Sequence, residues 1–171
     1  MGCDIHMYVE FKRSNWSMET GWKCGDYFRI TDPTNPDCEP IHIDLFGDRC
    51  YSLFAVLANV RNRGYGEEYP YISMPRGIPV DATEYVRGEY GRWGCDAHSS
   101  SYLTLREIVE FHVEKKPKND FGGYILEPLI ERLRRRADEL GVLYEFELDR
   151  PWSNDVPHKM ENIRIVFWFD N

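Results

Sequence analysis

Residues 4–12 alternate strictly between apolar and polar positions. Ile5, Met7, Val9 and Phe11 point one way, and Asp4, His6, Tyr8 and Glu10 point the other. A period of two with one apolar face predicts a β-strand. The far end of the chain repeats the pattern, with Ile163, Ile165, Phe167 and Phe169 alternating with Arg164, Val166 and Trp168. This second strand is apolar on nearly both faces, which predicts a central position in a sheet. A third strand is predicted over 142–148, where Tyr144, Phe146 and Leu148 oppose Glu145 and Glu147. The complementary alternation of the first and last segments predicts that they are neighbours in one sheet.

Two helices are well marked. Thr104-Leu105-Arg106-Glu107 is a Thr-x-x-Glu capping box, and it opens a helix to about Lys116, where Pro117 is a stop. A second helix is expected from about Tyr124 to Leu140. Pro128 is tolerable in its first turn, Leu126, Leu129, Ile130, Leu133, Ala137 and Leu140 form its apolar stripe, and Gly141 is a natural residue just past its end. A third is expected at about 52–62, with Phe54, Leu57, Ala58 and Arg61 near one face. Between the elements, residues 32–40 hold three prolines and read as an irregular surface segment. Residues 63–95 contain repeated Gly and Pro with little periodicity, a loop long enough to suggest function. The pattern therefore predicts an α+β fold. It has a mostly antiparallel sheet, about three helices packed on one face, and a long loop region rich in Arg, Tyr and Gly.

Size and charge narrow the classes of function. A chain of 171 residues fits one domain spanning 1–171. It can bury roughly two thirds of its unfolded surface without a disulfide or metal staple. The formal net charge of −8 argues against a binder of duplex nucleic acid, which presents a basic face. No apolar run approaches the roughly 20 residues of a membrane span, and no signal-peptide pattern opens the chain. The five cysteines, Cys3, Cys24, Cys38, Cys50 and Cys95, are odd in number and form no CxxC pair. They read as free thiols of a cytoplasmic protein. The Met1-Gly2-Cys3 start lacks the Ser or Thr that a myristoylation signal wants at position 6, where His6 stands.

Chemistry concentrates in two places. From Arg49 to Arg92 every basic residue is arginine (49, 61, 63, 76, 87 and 92), set among seven aromatics and five acids. Arginine forks grip phosphate bidentately and aromatic rings stack on bases. This predicts a small anionic, nucleotide-like ligand held by Arg61, Arg76, Tyr90, Trp93 and Ser99, with Tyr65 another candidate. The competing reading is a tyrosine-rich loop packed on itself, its arginines paired to its glutamates. The second place is a pair of Asp-x-His motifs. Asp4 and His6 leave one face of a strand, one pleat apart. Asp96 and His98 are expected in the loop before the helix at Thr104. Two carboxylates and two imidazoles can hold a divalent metal or serve as general acid and base. Asp4, His6, Asp96 and His98 are therefore the candidate catalytic and metal residues, expected to line one cleft. The competing reading is local hydrogen bonding and turn formation. His42 with Asp44, His112, His158 and the Arg132–Arg136 run rank lower. The run reads as a solvated helix face with ion pairs.

Several stretches resemble a family of small proteins of tailed bacteriophages and prophages: Met1-Gly2-Cys3-Asp4-Ile5-His6, Tyr51-Ser52-Leu53-Phe54-Ala55 with Val60-Arg61-Asn62, Pro75-Arg76-Gly77-Ile78-Pro79, Trp93-Gly94-Cys95-Asp96-Ala97-His98-Ser99, and Val166-Phe167-Trp168-Phe169-Asp170-Asn171. The resemblance implies a phage-borne accessory protein acting in the cytoplasm of the bacterial host. Asp4-Ile5-His6 also resembles the first metal motif of calcineurin-type metallophosphatases, and Gly47-Asp48 echoes their second. Their Gly-Asn-His block and later His-x-His are absent. Asp96-Ala97-His98-Ser99 is similar to the start of the PHP phosphoesterase motif, with Ser100 in place of its second histidine.

Taken together, the expectation is a phosphodiesterase-type hydrolase of a nucleotide-like phosphoester, such as a host defence signal, with a divalent metal as a candidate cofactor. The alternative is a non-catalytic protein that sequesters such a nucleotide or docks a host protein. A homo-oligomer is left open.

Overall fold

The structure is a computed structural model that describes residues 2–12, 21–47, 49–63, 68–142 and 160–170. Its centre is a four-stranded antiparallel sheet. Strand β1 (Ile5–Phe11) lies between the two-residue β2 (Lys23–Cys24) and the final strand β6 (Ile163–Phe169), and β5 (His98–Thr104) closes the other side of β6. The expected pairing of the first and last strands is present along their full length, from Ile5 opposite Phe169 to Phe11 opposite Ile163. β6 is buried at every position, as its two-faced apolar pattern requires. A separate hairpin of β3 (Tyr27–Arg29) and β4 (Ile41–Ile43) sits beside the sheet. The proline-bearing segment 32–40 connects its strands. Residues 143–148 of the predicted third strand and His158 lie outside the described residues.

Four helices accompany the sheet among the described residues: α1 (Tyr51–Ala58), α2 (Glu84–Trp93), α3 (Leu105–Lys115) and α4 (Glu127–Glu139). The capping box at Thr104 forms, with the Thr104 hydroxyl accepting from the Glu107 N–H and the Glu107 carboxylate accepting from the Thr104 N–H. In α4, Leu129, Ile130, Leu133 and Ala137 are buried as a stripe. The α4 end is tied by Gly141 at φ +69 and by the Val142 N–H donating to the Ala137 carbonyl. α1 is apolar all round, with every residue from Leu53 to Ala58 buried, so it is a core helix rather than an amphipathic one.

Three expectations need correction. The helices do not all pack on one face. α1, α3 and α4 cover the face bearing Ile5, Met7, Val9, Phe167 and Phe169, whereas α2 covers the opposite face, placing Val86 against Tyr8, Val166 and Trp168. The segment 63–95 is not loop throughout, because its last third is α2, capped by the Thr83 hydroxyl. That helix carries Gly88 and Gly91 and buries fully only Val86, so it shows no apolar stripe in sequence. Likewise Asp96 and His98 do not share a loop. Asp96 ends a single 3-10 turn (Gly94–Asp96) and His98 begins β5.

On the α2 face, Glu10 and Arg164 sit opposite each other on β1 and β6. Both are buried. Arg164 donates from Nε and Nη2 to Glu10 Oε2 at 2.8 and 2.7 Å, and from Nη1 to Asp81 Oδ1 at 2.9 Å. Glu10 Oε1 accepts the N–H of Thr83, the cap of α2, at 2.6 Å. A buried ion pair is tolerated when its remaining valences are hydrogen-bonded, and here those bonds anchor α2 to the sheet.

Candidate functional site at the sheet rim

Antiparallel pairing of β1 with β6 continues one residue past the strands, where the Asp170 N–H donates to the Asp4 carbonyl. Asp4, His6, Trp168 and Asp170 thereby share the α2 face at the rim of the sheet. The Asp170 carboxylate links them. Its Oδ1 accepts the Asp4 N–H at 2.9 Å, and its Oδ2 lies 3.2 Å from His6 Nε2. A carboxylate on one ring nitrogen fixes the orientation of an imidazole. The Trp93 ring, at the end of α2, lies over His6 with 4.0 Å between centroids. His6 and Asp170 side chains keep about a fifth of their surface open (21% and 19%), so the pair is reachable from solvent.

Arg49 completes the cluster. Its Nε and Nη2 donate to the two oxygens of Asp4, both at 2.6 Å. These bonds hold the Asp4 carboxyl below the usual carboxylate range, against the opposing effect of desolvation.

The other expected site residues go elsewhere. His98 lies opposite Phe169, and its ring stacks on that side chain at 6.0 Å. Since His6 contacts Trp168 and His98 contacts the adjacent Phe169, the two histidines lie on opposite faces of the sheet. The structure does not bring them into one cleft. His98 Nδ1 lies 3.0 Å from Ser99 Oγ. Ser99 has φ +50 in the bulge between His98 and Ser101, which is where the strand loses its alternation. Asp96 is exposed. Among the described residues, no three His, Cys, Asp or Glu side chains stand close enough to hold a metal ion.

The arginine and aromatic set also divides. Arg76 donates to Glu107 at 2.6 Å and to the Tyr102 carbonyl at 3.3 Å, so it braces the start of α3. Arg61 is exposed at φ +50 with its guanidinium over the Tyr51 ring. Arg92 pairs with Glu89. Tyr90 packs edge-on against Trp168 at 5.2 Å and accepts a long hydrogen bond from Ser100. Of the ligand set, Trp93 alone contacts His6; Tyr65 lies outside the described residues. Arg49, Arg76 and Arg92 are thus all on acids, but only Arg92 pairs with a glutamate of its own segment; Arg49 and Arg76 tie the segment to Asp4 and to α3.

A second imidazole–carboxylate cluster lies on the same face, at the β3–β4 hairpin. His42 Nε2 lies 3.4 Å from Asp26 Oδ1, and Nδ1 lies 3.4 Å from Asp44 Oδ1. The Asp26 side chain is fully buried and also accepts the Val9 N–H at 2.7 Å. Burial of His42 opposes its charge, yet Asp26, then Asp44 and Glu89, outweigh it and hold the imidazole above its ordinary value. Ring contacts join the two clusters: His42 stacks on Tyr8 at 4.7 Å, Tyr8 on Trp168 at 4.9 Å, and Trp168 meets His6 at 6.0 Å.

Asp170, Arg49 and Asp26 were absent from the sequence-derived set. Asp170 was within reach of sequence reasoning, because pairing residues 5 and 169 places 4 and 170 across from each other. Arg49 and Asp26 meet their partners through tertiary packing, for which local spacing holds no signal. Comparison of the chain with protein-family models, with curated proteins and with solved structures finds no match. No helix among the described residues is long and apolar enough to cross a membrane.

Proposed function

We propose that the protein binds a small nucleotide-like phosphoester at the rim formed by His6, Arg49, Trp93 and Asp170, and that His6 carries out acid–base chemistry on it. The observation that carries this reading is the partly open His6–Asp170 pair. Imidazole is the side chain best suited to move a proton near neutral pH, and Asp170, at Nε2, orients the ring. Trp93 supplies an aromatic wall beside it, the kind of surface on which a base stacks. In the hydrolytic form, His6 accepts a proton from water as the water oxygen bonds to phosphorus and the phosphorus–ester oxygen bond breaks; the leaving oxygen then takes its proton from the His6 imidazolium or from solvent, which returns the imidazole to its neutral form. The phage setting implied by the resemblance suits a protein that removes a nucleotide signal of host defence.

A second reading is sequestration without turnover. It is favoured by the separation of His6 from His98, which leaves one imidazole at the rim where two-residue acid–base catalysis would use two. Incubation with a panel of linear and cyclic nucleotides, with and without divalent metal, followed by mass spectrometry of ligand and product, separates the two. Hydrolysis predicts a new product, and sequestration predicts a retained, unchanged ligand. His6→Ala should stay folded and lose turnover by roughly a hundredfold or more. A folded, fully active His6→Ala protein refutes the acid–base role.

A further inference from the structure

Asp4 is one of the four residues the sequence nominates as acid, base or metal ligand, yet its carboxylate is engaged by Arg49 through two parallel bonds of 2.6 Å each. That fork-on-carboxylate geometry is the one in which a guanidinium receives an oxyanion such as phosphate. The pair is about half exposed, 51% for Arg49 and 47% for Asp4. Exposed ion pairs contribute little, because water and salt compete for both partners, so this carboxylate is exchangeable. A Cβ on Gly2 would fall 2.6 Å from Arg49 Nη1, so the glycine lets the guanidinium lie directly on the chain. The seat also adjoins the His6–Asp170 pair, since Asp170 holds the Asp4 N–H through one oxygen and His6 through the other.

We infer that Asp4 is a placeholder: in the free protein it fills an oxyanion seat on Arg49, and the phosphate group of the ligand displaces it. This rests on the phosphoester reading above and assigns the residue that grips the phosphate. It also gives Asp4 a role opposite in sign to a catalytic one. Removing its charge frees the seat and tightens binding, whereas removing Arg49 abolishes the seat.

The test uses inorganic phosphate as the probe, at constant ionic strength made up with chloride. The amide resonances of residues 2–6 and the Arg49 Nε–H resonance are followed by NMR. Saturable binding is expected in the parent protein, about three- to tenfold tighter binding in Asp4→Asn, and loss of saturation in Arg49→Gln. Asp4→Ser should move in the same direction as Asp4→Asn, and it serves if the amide perturbs the local fold. Equal or weaker binding by folded Asp4 variants, undiminished binding by Arg49→Gln, or no saturation in any protein overturns the seat. Asp4-sensitive phosphate binding without turnover of any nucleotide supports the seat and overturns hydrolysis. Turnover with phosphate affinity unmoved by Asp4→Asn does the reverse.

Discussion

Glu10→Gln should be among the most destabilising isosteric changes this fold can suffer. The amide keeps an oxygen for the Thr83 N–H, so the α2 cap contact can persist. What disappears is the charge opposite Arg164, whose side chain is 4% exposed. Breaking a buried pair by removing one partner costs ~3–5 kcal/mol. Arg164 retains Asp81 at 2.9 Å and lies over the Trp22 ring at 3.8 Å, but the Asp81 side chain is 60% exposed and compensates weakly. A loss of about 3 kcal/mol is therefore expected, or roughly 6–12 °C in Tm for a chain of this size. Urea unfolding at pH 7 measures it, with hydrogen exchange at residues 83–93 as a local readout, because the Glu10 side chain is the link between β1 and the α2 cap. Replacing both partners by apolar residues, Glu10→Leu with Arg164→Met, should recover most of the loss, since nothing charged is then left buried. If Glu10→Gln costs less than about 1 kcal/mol, the pair is not dry and the argument fails.

Three further outcomes follow from other parts of the molecule. His42, held above its ordinary value by Asp26 and Asp44, should stabilise the fold fully below the ordinary imidazole range. That contribution should fade as pH rises through the raised folded value; denaturant unfolding at several pH values, parent minus His42→Gln, should show the difference shrinking upward. Thr104→Ala removes one half of the capping box and should cost about 1 kcal/mol, read from the urea midpoint. Gly77→Ala, at φ +82 with open space around it, should cost about 1–2 kcal/mol from backbone strain alone, so relaxed packing in a crystal structure of the variant would not accompany it.

Much of this architecture was legible because burial imposes periodicity. β1 and β6 show it in clean alternation, α3 in its capping box and α4 in its stripe, and each forms close to its predicted bounds. Elements held by few fully buried residues were opaque. α2 is pinned by Val86 and by polar bonds at its cap, and β5 opens on three serines and a bulge, so neither has a hydrophobic period to read. The same bulge decides which face His98 takes, so the two Asp-x-His motifs look alike in sequence while their histidines lie on opposite faces of the sheet. Three members of the rim cluster were legible, Asp4, His6 and Trp93. The other two, Arg49 and Asp170, depend on which chain segments the fold lays side by side.

The pairing of β1 with β6 also governs when the sheet can exist. Glu10 and Arg164 are 154 residues apart, and ribosomes add ~5–20 residues per second. About 8–30 s therefore separate the synthesis of these two partners, during which β1 has no β6 to pair with and its apolar side chains lack their cover. Contacts of such long range also slow the final closure, because loop entropy must be lost before they reward it. A nascent chain stalled before residue 163 should therefore present β1 as an adhesive edge, a substrate for chaperones rather than a half-built domain.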